Sequence, residues 1–354
     1  MKILITGNLG YVGPGVIEQL RSSYPDASLI GLDMGYFGHV LSVAETLPEC
    51  GLAVQYFGDV RNPPEEALRG VDAVVHLAAI SNDPMGSRFE SVTVDINHRA
   101  TVSLAARAKA AGASAFVFAS SCSVYGPAGD QARNEDSAVA PLTAYARSKV
   151  EAENDLRKLA SSDFKVTALR FATACGMSGR LRLDLVLNDF VAAAIASKTI
   201  QIMSDGTPWR PLIHVRDMAR AIDWGIRRGG DAFLMVNAGA DGWNCQVREL
   251  ADAVARVIPG VEIWVNPDAG PDRRSYRVDF GRFRLLAPDH QPRYGVSDTV
   301  SELADGLRRM GFEDVDFRKS KFIRLNVLSD LRDRGLLDED LGWKTVSVAM
   351  ASRH

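Results

Sequence analysis

A tyrosine and a lysine four residues apart, Tyr145 and Lys149 in Tyr-Ala-Arg-Ser-Lys, are the residues of this chain whose chemistry stands out. At that spacing they share one face of a helix. A free phenol has a pKa of about 10 and is a poor base at neutral pH. An ammonium beside it favours the phenolate and draws that value toward the working range. The pair is reached from a strand ending Phe118-Ala-Ser-Ser121. Alone, it is also what an ordinary exposed helix face carries; the start of the chain supplies the context.

Lys2-Ile-Leu-Ile-Thr6 reads as a short apolar strand running into Thr6-Gly7-Asn8-Leu9-Gly10-Tyr11-Val12-Gly13, after which Val16, Ile17 and Leu20 recur at helical spacing. Strand, glycine turn and helix together form the context a dinucleotide fingerprint requires. Gly7 permits the tight turn, Gly10 lets the backbone of the Gly10-Tyr11-Val12 stretch approach a pyrophosphate, and Gly13 lets helix pack on strand. Amides at the helix start then face the phosphates. The next strand, Ser28–Asp33, ends in an acid twenty residues after Gly13, the spacing of a carboxylate that holds both ribose hydroxyls. A carboxylate there repels a 2′-phosphate, so the expected cofactor is NAD rather than NADP.

These groups need a scaffold, and 354 residues with 46% hydrophobic content suffice for one large or two modest domains. Lys and Arg number 41 against 44 Asp and Glu, so no basic excess calls for nucleic acid or an anionic membrane. Cys50, Cys122, Cys175 and Cys245 have neither metal-type spacing nor a secretory framework. Met1 leads directly into a strand and no apolar run approaches membrane-spanning length, so a cytoplasmic protein is expected. Strands near 53–57, 73–77, 115–119 and 165–171 join the first two, with helices near 64–69, 97–111 and 145–159 between them. Six strands alternating with helices predict a doubly wound parallel sheet. Beyond Phe171 the rhythm breaks: helices are expected near 185–196, 216–227 and 299–310, with short strands at 200–203, 212–215 and 261–265. The expected division is a dinucleotide domain over 1–173 with a returning segment near 208–240. A smaller α/β lid takes 174–207 and 241–354. The stretch 317–341 reads as an amphipathic helix with Leu325, Leu328 and Leu331 inward, a packing element.

Glycine turn, acid, serine and Tyr-Lys in this order resemble the extended short-chain dehydrogenase/reductases, and within them the nucleotide-sugar epimerase/dehydratase branch. The likeness runs from about Lys2 to Met310. It implies a Rossmann domain in which Asp59-Val60 meets the adenine, Leu77-Ala78-Ala79 passes beneath the cofactor, and Asn97 supports the active-site lysine. In Phe118-Ala-Ser-Ser-Cys-Ser-Val-Tyr-Gly126 it makes Ser121 the catalytic hydroxyl, with Ser123 in reach of the sugar. Tyr145 becomes the proton acceptor, and Lys149 binds the nicotinamide ribose while lowering the Tyr145 pKa. Arg210, before Pro-Leu-Ile-His-Val215, and Arg273 stand where relatives hold a nucleotide diphosphate, with Arg180, Arg182, Arg274 and Arg277 behind them as candidates. Relatives commonly form homodimers through the helices at 97–111 and 145–159.

Two departures bear on the reaction. Thr173 stands where the family usually has a substrate-contacting asparagine, and Cys175 nearby reads as a small buried hydrophobe. Sugar dehydratases carry Asp or Glu just after the catalytic hydroxyl, whereas this chain has Cys122 and Ser123. Elimination would lack its acid/base pair. Epimerisation at C4 needs only Ser, Tyr, Lys and retained NAD, and is the expected reaction on a nucleotide-diphosphate sugar. A dehydratase, a keto-sugar reductase and a non-catalytic NAD-binding regulator remain as alternatives.

Overall fold

The computed structural model describes residues 1–42, 45–127, 131–269 and 275–344. Among them the strands are β1 (Lys2–Thr6), β2 (Ser28–Asp33), β3 (Val54–Phe57), β4 (Ala73–His76), β5 (Ala115–Ser121), β6 (Lys165–Phe171), β7 (Thr173–Cys175), β8 (Thr199–Ile202), β9 (Trp209–His214), β10 (Phe233–Ala238), β11 (Asn244–Gln246) and β12 (Glu262–Val265). The α-helices are α1 (Gly13–Ser23), α2 (Glu65–Leu68), α3 (Asp83–Arg88), α4 (Glu90–Val94), α5 (Thr101–Ala110), α6 (Ala144–Leu159), α7 (Val186–Ser197), α8 (Val215–Arg227), α9 (Val247–Val257), α10 (Gly281–Leu286), α11 (Val296–Arg309) and α12 (Arg324–Asp333).

Seven strands form one parallel sheet in the order β10-β6-β5-β4-β1-β2-β3. Its inner strands are runs of buried apolar residues, because both faces are covered. Leu4, Leu32, Val74, Phe116 and Phe118 pack with Leu104 of α5 and Leu156 of α6, whereas Ile3, Ile5, Leu29, Val75 and Val117 pack with α1 and α8. This is the doubly wound Rossmann-type fold. After β3 the chain crosses back to β4 on the other side of β1, which opens a crevice at the carboxyl ends of β1 and β4.

Sequence periodicity gave six strands; β10 is the seventh. Phe233-Leu-Met-Val-Asn-Ala238 pairs with β6 only after the excursion through β7, β8, β9 and α8, so no local alternation with helices announces it. The helix expected from Asn97 starts earlier, at α4, and continues into α5 through a wide π-type turn over Asp95–Ala100. Chain between β7 and β9, together with chain after β10, builds a second layer. In it β12 pairs with β8, β9 lies between β7 and β11, and α7, α9 and α11 pack on one another. Over 317–341 only α12 and a single 3₁₀ turn at Phe317–Lys319 are helical. Leu328 and Leu331 are buried as expected, and Leu325 is half-buried.

Candidate active site

A cavity of about 1060 Å³ opens at the crevice between β1 and β4 and reaches across the ends of β5 and β6 to the second layer. Its floor begins at Gly7, whose φ is +73°. A Cβ there would fall 2.5 Å from the backbone nitrogen of Ala78, so only glycine lets the turn lie against the end of β4. Buried His76 ties the two strands, its ring nitrogens bonding Thr6 Oγ1 at 2.7 Å and Thr101 Oγ1 at 2.8 Å. Burial and, secondarily, Lys149 push its pKa down to about 3, so it is neutral. Gly10, Tyr11, Val12, Leu77, Ala78, Ala79, Asp59 and Val60 also border the cavity.

Asp33, at the end of β2, accepts hydrogen bonds from Leu9 N at 3.0 Å and Gly35 N at 2.7 Å. Each carboxylate oxygen retains a further lone pair for a ribose hydroxyl. Burial raises its pKa, and the two amides pull it back. The glycine floor, this carboxylate and the small Ala78-Ala79 edge fit a dinucleotide bearing an unphosphorylated ribose.

Gly13 and Asn97 stand back from the cavity wall. Gly13 does not border it; a Cβ there would meet Asn8 O at 1.9 Å, so this glycine serves helix-to-turn packing. Asn97 is fully buried: Oδ1 accepts from Ile80 N at 2.8 Å, while Nδ2 donates to Ile80 O at 3.0 Å and Ser148 Oγ at 3.2 Å. It fixes the loop after β4 to α6, the helix that carries the active-site lysine. Asp59 borders the cavity, gripped by Arg61 Nε at 2.8 Å and Nη2 at 2.6 Å. Tyr11 spends its hydroxyl on Gly176 O at 2.6 Å, so only its backbone is left to face a phosphate.

The catalytic candidates meet at the next stretch of wall. Thr143 caps α6, accepting from Ala146 N at 3.1 Å, and donates to Asp83 Oδ1 at 2.7 Å. Tyr145 and Lys149 in the first turns of α6 line the cavity beside Ser121 at the end of β5. Ser121 Oγ donates to Ser123 Oγ at 2.9 Å and accepts from Ser123 N at 3.2 Å. Burial raises the Tyr145 phenol to about 12; the Ser121 hydroxyl pulls it down, Asp83 pushes it up and Arg182 draws it down. Lys149 Nζ donates to Ala119 O at 2.7 Å and sits 5.7 Å from the centre of the Tyr145 ring. Burial lowers its pKa to about 7, against the opposing charge of Glu153. In this geometry the Lys149 ammonium is committed to the Ala119 carbonyl.

On the second-layer side, Thr173 and Arg210 border the cavity, with Arg210 Nη1 donating to Trp209 O at 2.9 Å. Arg273 and Arg274 lie outside the described residues. Arg277 stacks on Trp209 away from the cavity, and Arg180 is paired with Glu49 at 2.9 Å. Cys122 is fully buried with its thiol on Arg170 O at 3.1 Å and its pKa pushed up by burial; Cys175 is likewise buried.

Several wall residues lie outside every local motif. Arg182 holds Asp184 through Nε at 2.9 Å and Nη2 at 3.0 Å, and Ser81 Oγ through Nη1 at 2.9 Å. Asn82 Nδ2 donates to Asp184 Oδ2 at 2.8 Å. Tyr276, Arg318, Arg324 and Leu328 complete the wall, so the carboxy-terminal stretch is part of the site as well as a packing element. Remoteness in sequence hid them; only the buried basic run Arg180-Leu-Arg182 carried a signal.

The family model described as NAD dependent epimerase/dehydratase family matches residues 3–239. A dTDP-glucose 4,6-dehydratase of Streptomyces griseus is 29% identical over 315 residues, covering 86% of this chain and 91% of its own. A UDP-glucose 4-epimerase of Rhizobium meliloti (strain 1021) is 27% identical over 279 residues, covering 72% and 81%. Among solved structures, MoeE5 in complex with UDP-glucuronic acid and NAD aligns with a TM-score of 0.75 at 26% identity, covering 87% of this chain and 99% of that one.

Proposed function

Because this chain belongs to the NAD-dependent epimerase/dehydratase family, an enzyme family, we propose that it inverts C4 of a UDP- or dTDP-linked sugar. Bound NAD supplies the hydride acceptor and, later, the donor. Tyr145, ionised, takes the proton of the C4 hydroxyl, and Ser121, its hydroxyl turned from Ser123 to the substrate, donates a hydrogen bond to the same oxygen. Lys149 holds the nicotinamide ribose, and Arg210 with Arg273 the substrate diphosphate. Thr173 and Ser123 contact the sugar. The dinucleotide rests on Gly7, Gly10, Tyr11, Val12, Asp33, Asp59, Val60, Leu77, Ala78 and Ala79.

One observation carries epimerisation over elimination: the positions after Ser121 hold a sealed thiol, Cys122, and a hydroxyl, Ser123. Neither can exchange protons as a carboxylic acid does. A dehydratase is the second reading, favoured by Asp83, a carboxylate on the cavity wall close enough to raise the Tyr145 pKa. We further propose a cytoplasmic homodimer joined through α5 and α6. No helix among the described residues is long and apolar enough to cross a membrane. Ala105 and Ala108 are buried within the protomer and Ala106 is exposed, which leaves Ala106 for such an interface.

The test incubates the protein with UDP-glucose, UDP-glucuronic acid or dTDP-glucose in deuterated water. Epimerisation at C4 gives a stereoisomer without deuterium and without loss of water. Loss of water would establish dehydration in place of epimerisation, and unreacted substrates throughout would refute both.

A further inference from the structure

Arg324, the first residue of α12, is 1% exposed and borders the cavity. Its Nη2 donates to Arg180 O at 2.8 Å, and its guanidinium lies 4.5 Å from the centre of the Phe37 ring. Its Nη1 is buried and has no hydrogen-bond partner among the described residues. Two neighbouring arginines have carboxylates: Arg180 has Glu49 at 2.9 Å, and Arg182 has Asp184 at 2.9 Å. Arg324 has no ion pair among the described residues. Burial first, then Arg182, lowers its pKa to about 9, with Asp184 opposing. A buried guanidinium left one bond short, in a residue at the edge of a cavity, is costly unless something anionic completes it.

The position of α12 indicates which anion. Phe37 follows four residues after the ribose-end carboxylate Asp33. Arg180 lies in the loop after β7, whose Ser178 Oγ donates to Tyr11 O in the glycine turn at 2.7 Å. Ser42 Oγ secures the same loop through Ser178 O at 2.5 Å and accepts from Leu181 N at 3.2 Å. Arg324 thus bridges, through Phe37 and Arg180, the segment that follows Asp33 and the loop bonded to the glycine turn, the turn on which a dinucleotide would carry its phosphates.

We infer that Arg324 is a ligand of the dinucleotide's diphosphate, and that α12 closes the cofactor site from the carboxy-terminal end of the chain. The inference rests on the family's use of NAD and not on which sugar reaction follows. A sugar nucleotide also carries a diphosphate, so binding must be measured for both. Titrations of NAD, and separately of UDP, into full-length protein stripped of dinucleotide compare the native chain with Arg324→Met and Arg324→Gln. Met keeps the packing on Phe37, and Gln keeps a donor for Arg180 O.

Loss of a charge-assisted bond should raise the NAD Kd by about ten- to a hundredfold in both variants and leave the UDP Kd within about twofold. The Tm of the NAD-free variants should equal or exceed that of the native protein, since an unpaired buried charge has gone. The Tm gain on adding NAD should shrink. Unchanged NAD affinity would overturn the inference, as would a loss confined to UDP. A lowered NAD-free Tm, or failure of both variants to fold, would mark Arg324 as a structural residue and overturn it equally. NAD failing to bind the native protein would instead refute the cofactor reading.

Discussion

Glu153→Gln should destabilise the fold by about 3–5 kcal/mol, the cost of leaving a buried charge without its partner. Glu153 and Arg170 are 3% and 4% exposed. Glu153 Oε2 accepts from Arg170 Nη2 at 2.6 Å, while Oε1 accepts from Arg170 Nε at 2.9 Å and Ser120 Oγ at 2.6 Å. A glutamine amide must turn its NH₂ toward one of these donors, losing at least one bond and the whole countercharge. Unfolding entropy of about 2.1 cal/mol/K per residue puts the Tm shift at about 4–7 °C for a chain this long. Scanning calorimetry and urea titration at pH 8 read both quantities. The double variant Glu153→Met with Arg170→Met should recover most of the loss. A single variant within about 1 kcal/mol of the native protein would refute the reasoning. The same carboxylate opposes the burial that lowers Lys149 to about 7, so that value should fall further in the variant. Between about 7 and the ordinary 10.5 the unfolded chain binds more protons than the folded one. Stability of the ligand-free protein should therefore rise with pH across that window, and the variant's window should begin lower.

Tyr145→Phe should lower kcat by about a hundredfold or more while NAD stays bound, checked by turnover and by acid-released dinucleotide; a near-native rate would remove the phenol as base. Asp33→Ala should weaken NAD by about tenfold and raise relative use of NADP, measured by competitive titration; an unchanged preference would refute the ribose contact. With a thiol reagent, exposed Cys50 should react first, and Cys122 and Cys175 only on unfolding, because burial closes them off and raises their pKa. Rapid labelling of Cys122 in the folded protein would reopen its exclusion from the chemistry.

What could be read in the sequence was local. Gly7 through Gly13, Asp33, Ser121, Tyr145 and Lys149 sit where a strand passes into a turn or helix, and short patterns mark such junctions. The doubly wound sheet followed from alternation, except β10, whose partner β6 precedes it by two excursions. Opaque were the groups that meet only through tertiary packing: Ser81, Asn82 and Asp184 around Arg182, Tyr276 on the far wall, and Arg324 on α12. The Tyr-Lys pair shows the other limit. Spacing puts both side chains on one face of α6, yet the Ala119 carbonyl and burial decide where the ammonium goes and how much charge it keeps.

The last described residues fold back onto the first unit. Tyr36 Oη donates to Leu341 O, and Trp343 Nε1 donates to Met34 O at 2.7 Å. These bonds join segments 305 and 309 residues apart. Strand β1, the glycine turn and β2 can form their cradle by local contacts, but Arg318, Arg324 and Leu328 reach its rim only when that distant stretch docks. Loosening of the docked stretch would therefore open the cavity while leaving the parallel sheet intact.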